Sequence, residues 1–152
     1  MRRTLLAAAT LATATAVLLP TAALARPPEQ ERIEFSINDR ISGVCDFTIV
    51  AHVELKITNR TFLDAEGNPT GGSSTGSIKA WLTNADTGKI VRFVIPGPAF
   101  FQTDGAVTGA GPWVTFTADG RFMYITGRMT FNRHAEAVTW RGLARDVCDV
   151  LA

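Results

Sequence analysis

From Cys45 onward the apolar residues fall on alternate positions, Phe47, Ile49, Ala51, Val53, Leu55 and Ile57. Thr48, His52, Glu54, Lys56 and Thr58 stand between them, with only Val50 out of step. A period of two gives one buried and one wet face, so residues 44–63 read as one long β-run. At about 3.3 Å per residue, such a run would reach roughly 65 Å if straight, too far for a domain of this size. It is expected to bend near Asn59 and Arg60, as the seam strand of a closed antiparallel barrel does.

The same period recurs on both sides of this run. Ile33, Phe35 and Ile37 alternate with Glu34 and Ser36 and predict a short first strand, preceded by a polar leader over 26–31 with little reason to be ordered. Asp64-Ala65-Glu66-Gly67-Asn68-Pro69 reads as a turn. Its alternating oxygens follow the order of a calcium loop, but the Gly and distal Glu of such a loop are missing. Residues 70–77, rich in Gly, Ser and Thr, leave pairing register weakly specified. Ile78, Ala80 and Leu82 restore the alternation before Asn84-Ala85-Asp86-Thr87-Gly88 turns the chain. A strand over 90–95 then meets Pro96-Gly97-Pro98, a corner because the two prolines lack donors.

Further strands are expected over 99–103, 106–117, 121–132 and 138–145, separated by Asp104-Gly105, Asp119-Gly120 and the turn 133–136. In the third of these, Met123, Ile125, Gly127, Met129 and Phe131 share a face. Residues 146–151 suit a closing helical turn. No other helix-period stretch is evident in this part of the chain, and the pattern predicts an all-β, antiparallel up-and-down β-barrel of about 6–8 strands, with a two-sheet β-sandwich as the alternative.

Residues 1–25 have the form of a secretory signal: Arg2 and Arg3, an apolar run from Leu5, and Ala23-Leu24-Ala25 as a small-x-small cleavage site. The expected mature domain is 26–152, without a membrane anchor. Its charge is 15 − 2 = 13 Lys plus Arg against 14 Asp plus Glu, or −1, which gives no electrostatic reason to expect nucleic acid. In an exported chain the only two cysteines, Cys45 and Cys148, are most simply one disulfide tying the beginning of the fold to its end.

Four motifs carry a resemblance: Gly43-Val44-Cys45, Asp64-Ala65-Glu66-Gly67-Asn68-Pro69, Asn84-Ala85-Asp86-Thr87-Gly88-Lys89 and Cys148. In these the chain resembles a group of small secreted β-proteins of high-GC Gram-positive bacteria. The resemblance implies export and a β-fold, and carries over no catalytic residue.

Candidate chemistry is sparse. His52 and Glu54 lie two apart on one strand face, as an acid/base pair would, although Lys56 next in line also suits a solvated face. Arg128 and Arg141 sit in mid-strand, and each would need a carboxylate or an anionic ligand if it pointed inward. Trp113 and Tyr124 have polar tips suited to partly wet walls. No nucleophile elbow, metal-ligand cluster or phosphate loop is present, and no metal or cofactor is expected. Bulky Phe47, Ile49, Val53, Leu55, Met129 and Phe131 favour a filled interior, while Ala51, Gly127 and the glycines of 106–111 leave room at one end.

The reading that results is a secreted, non-enzymatic β-barrel that recognises a partner at its outer surface or loop tips in the extracellular space or cell envelope. A carrier of a small apolar ligand in the interior is the alternative, and a barrel cyclase or isomerase is third.

Overall fold

The structure, a computed structural model, describes residues 26–152, so the leader expected over 1–25 lies outside the described residues. Eight strands and one short helix follow in order: β1 (Glu29–Ile41), β2 (Ile49–Leu63), β3 (Pro69–Asn84), β4 (Ile90–Ile95), β5 (Ala99–Phe101), β6 (Val107–Phe116), β7 (Phe122–Phe131), β8 (Ala137–Asp146) and α1 (Val147–Leu151). All eight strands join one antiparallel sheet, in the order β1-β2-β3-β5-β6-β7-β8, with β4 also paired to β3. The chain is therefore a meander in a single sheet.

The sequence periodicity becomes cross-strand pairing. Ile33, Phe35 and Ile37 of β1 stand opposite Ile57, Leu55 and Val53 of β2. On the other face Glu34 meets Lys56 and forms an ion pair with it. This pairing runs the full length of β1, so the strand is longer than the three apolar residues indicate and takes in part of the polar leader. Residues 42–48 form a loop that holds Cys45, and β2 begins only at Ile49. The irregularity in β2 falls between Phe62 and Leu63, beyond the bend expected near Asn59. Residues 70–77 lie within β3 in unbroken register with β2 from Gly71 onward. Their glycines are required by contact: a Cβ on Gly76, which has φ of +142°, would run into the backbone of Lys56 and Ile57.

A second set of glycines folds the sheet. Gly111, Gly127 and Gly142 face one another across β6, β7 and β8. All three have positive φ, and a Cβ on Gly127 or Gly142 would enter the carbonyl of the neighbouring strand. Such a row acts as a kink line. Beyond it the hairpin between β7 and β8 swings back over the end of β6, where Thr117 bridges Ala137 and the Thr115 hydroxyl donates to the Ala135 carbonyl at 3.0 Å. Met123, Ile125, Met129, Phe131 and Ala137 are buried in the crease, with Trp113 and Trp140 packed against them.

The other core cluster closes one end of the molecule. Ile49, Leu82, Phe93 and Phe122 pack there around Val147 and Leu151 of α1, both fully buried. Burial of each such side chain contributes about 1.5–3 kcal/mol. Asp146 caps α1 by accepting from the Cys148 N–H at 2.8 Å. Asn84 Nδ2 donates to the Leu151 carbonyl at 3.2 Å, and Cys45 is disulfide-bonded to Cys148.

The expected closed barrel requires the first and last strands to pair. Among the described residues no ladder joins β1 to β8, and the sheet is open. The disulfide links a loop to a helix and not strand to strand, so it fastens the two edges at one end without forming a ladder between them.

Candidate functional site

The concave face of this open sheet encloses a cavity of about 660 Å³. Its walls follow from the alternation of β2 and β3: Ala51, Val53 and Ile57 project from one, Ile78, Ala80 and Leu82 from the other. Across from them stand Phe101, Trp113 and Phe131, and the corner residue Gly97 lies close to β6. Trp113 and Phe131 are in ring contact, with centroids 5.1 Å apart, and the indole Nε1 donates to the Ala110 carbonyl at 3.4 Å. Polar wall atoms come from Ser74, Thr75, Thr115 and Asn132, and Arg133 at the rim is the sole ionisable residue of the lining.

The rim is built by a turn in an unusual conformation. Ala135 has φ of +61°, a region that β-carbon-bearing residues avoid. Asn132 Oδ1 accepts from the His134 and Glu136 amides, Asn132 Nδ2 donates to Glu136, and Thr115 holds the Ala135 carbonyl. These bonds fix the turn over the cavity.

Of the candidate ligand or surface residues His52, Glu54, Arg128, Arg141, Trp113 and Tyr124, Trp113 alone lines this space. His52 lies on the opposite face of β2, where its Nδ1 is 2.8 Å from Asn38 Oδ1, its Nε2 is 3.7 Å from Glu54, and its ring packs on Trp81. His52 and Glu54 thus do come together, but on the exposed side of the sheet. Arg128 and Arg141 face each other across β7 and β8, and both are exposed. Neither enters the cavity. Tyr124 packs on Phe93 beside the closed end, with ring centroids 5.1 Å apart.

Several perturbed charges also lie outside the cavity. Glu34 raises the Lys56 pKa through its hydrogen bond and charge. The Asn68 N–H holds the Asp64 carboxyl below the usual range, and the Thr117 hydroxyl does the same for Asp119. Among the described residues no group of three or more His, Cys, Asp or Glu is arranged to hold a metal ion.

The sequence alternation identifies the apolar faces of β2 and β3 correctly. It carries no sign that the facing wall stands off from them, because that depends on where the glycine row bends β6 and β7. Phe101 and Arg133 carry no sign of their place in the lining for the same reason: one ends β5, the other lies in a turn, and neither belongs to a motif. No protein-family model, curated protein or solved structure matches this chain.

Proposed function

We propose that the protein is an exported, non-enzymatic binding protein that holds a small apolar molecule in the concave cavity. The observation that carries this reading is the cavity itself, about 660 Å³ with mostly aliphatic and aromatic walls. Protein interiors are close-packed, with few voids larger than a water molecule, whereas ligand pockets run from about 300 to 1,000 Å³. A filled core was the simpler expectation from the bulky side chains, and the size of the space favours the carrier over it. The closed barrel is not needed for this function, since an open concave sheet gives a ligand a route in.

An enzymatic role as a cyclase or isomerase draws less support, because proton transfer needs a positioned acid or base and the lining supplies Arg133 alone. Export is supported by the disulfide between Cys45 and Cys148.

A dye that fluoresces in apolar surroundings tests the proposal. Native protein is expected to bind it saturably, one to one, with displacement by small lipophilic compounds and a change in Trp113 emission. Val53→Trp, which places bulk in the cavity, should block binding while the protein still unfolds cooperatively. A native protein that stays dark, and lights the dye only on unfolding, would overturn the reading.

A further inference from the structure

Arg133 is the one charged residue in the lining of the main cavity, and the fold does not neutralise it. It sits exposed in the turn after β7, at the rim. Among the described residues no carboxylate lies within ion-pair reach of its guanidinium. The acids of two turns that contribute to the lining are engaged elsewhere: Glu136 accepts from Asn132 Nδ2 at 2.8 Å, and Asp104 accepts from the Ala106 amide at 2.9 Å. On an open surface an unpaired arginine is ordinary. At the mouth of an apolar cavity it is the group that sets which polar end a bound molecule presents, since such pockets take orientation and specificity from a few placed polar groups.

The part of the guanidinium that is left over also has a shape. Nε donates to His134 Nε2 at 3.2 Å, which leaves Nη1 and Nη2 without a protein partner among the described residues. Those two nitrogens form one edge of a planar fork, whose parallel N–H groups match the two oxygens of a carboxylate. The turn beneath is held by Asn132 and Thr115, so the fork is mounted on a fixed base. A carboxylate met at the rim keeps much of its water, so the pair escapes most of the penalty of a buried ion.

We infer that the molecule held in the cavity is a monocarboxylic acid with an apolar body, its chain against Val53, Ile57, Ile78 and Phe131 and its carboxylate on Arg133. This rests on the apolar-carrier reading above and adds the head group to it. A cavity apolar in its depth and basic at its lip is complementary to such an anion, and it disfavours an amine of the same length.

The test compares decanoate, decanol and decylamine at neutral pH, each displacing the apolar dye from the full mature chain. Decanoate is expected to bind about fivefold more tightly than the alcohol, the scale of a partly exposed ion pair, with the amine weakest. Arg133→Gln should abolish the preference for the acid, and it leaves the turn bonds of Asn132 and Thr115 in place. Arg128→Gln removes an equal charge from an exposed site outside the cavity and should keep the preference. If the acid binds wild type no better than the alcohol, or if the preference survives Arg133→Gln or is lost equally in Arg128→Gln, the head-group assignment is overturned while the apolar cavity stands. If none of the three displaces the dye, the carrier reading itself fails.

Discussion

Trp113 and Phe131 meet ring to ring, although their partners in the ladder, Ile125 for one and Val107 for the other, lie at different levels of the sheet. A flat pair of strands would keep them apart. The contact exists because β6 and β7 are folded at Gly111 and Gly127, and the cavity lies beside the resulting crease.

Gly127→Ala is accordingly expected to be severe. The new Cβ meets the Arg141 carbonyl, and φ of +130° disfavours any L side chain. A loss of more than about 3 kcal/mol is anticipated in urea unfolding, in the class of changes that force backbone strain. Gly88→Ala is the control: its φ is +75° but open space surrounds it, so only the left-handed cost of about 1–2 kcal/mol applies. Equal losses at the two sites would show that the glycine row is no fold line.

The turn that forms the rim should respond in opposite directions to two changes. Ala135→Gly relieves a left-handed residue and is expected to be neutral or stabilising by up to about 1 kcal/mol. Thr115→Val removes the hydroxyl that holds the Ala135 carbonyl and should cost about 1–2 kcal/mol. Thermal melts of both variants check the pair, and a destabilised Ala135→Gly would contradict the strain.

These two features mark the limit of what the sequence discloses. The alternation at Ile49 to Ile57 and the turns at Asp104-Gly105 and Asp119-Gly120 follow from local spacing, the bridge from Cys45 to Cys148 follows from there being only two cysteines in a chain read as exported, and all are present, although Phe47 falls in the loop before β2. Gly127 reads in sequence as a gap on an apolar face. Its effect on shape depends on Gly111 and Gly142 standing in the same row, which is a matter of register between strands. The cavity inherits that dependence, so its apolar lining was legible and its volume was not. The His52 and Glu54 pair shows the converse: their proximity was correctly read, but spacing alone does not say which face of a sheet is enclosed.

Reduction should weaken the fold strongly. The bridge spans a sequence separation of 103 residues. In the chain-entropy account, closing a loop of about 100 residues contributes roughly 4.7 kcal/mol. For a domain of this length that corresponds to a fall in melting temperature on the order of 15 °C. Melting with and without reductant measures it, and alkylation without reductant should add no mass. Uptake of two alkyl groups would refute the bridge.

Acid should destabilise before base does. Asp64 and Asp119 have folded pKa values below the ordinary 3.8, so their contribution is present above that value and is lost as pH falls through the folded one. Lys56 is raised above 10.5, so its contribution is lost only as pH rises through the folded value. Melting temperature should hold across the neutral range and decline below about pH 4. Asp119→Asn should flatten part of that decline, and an unchanged acid limb would remove Asp119 from the account.

The openness of the sheet has a consequence in parity. Along the path from β1 through β2, β3, β5, β6 and β7 to β8 every step is antiparallel, and there are six of them, an even number. β8 therefore points the same way as β1. The outer edges of β1 and β8 can meet each other only as a parallel pair, the slightly weaker arrangement, whereas one additional strand running against both would satisfy both at once. Direction alone thus sets the molecule one strand short of an antiparallel ring.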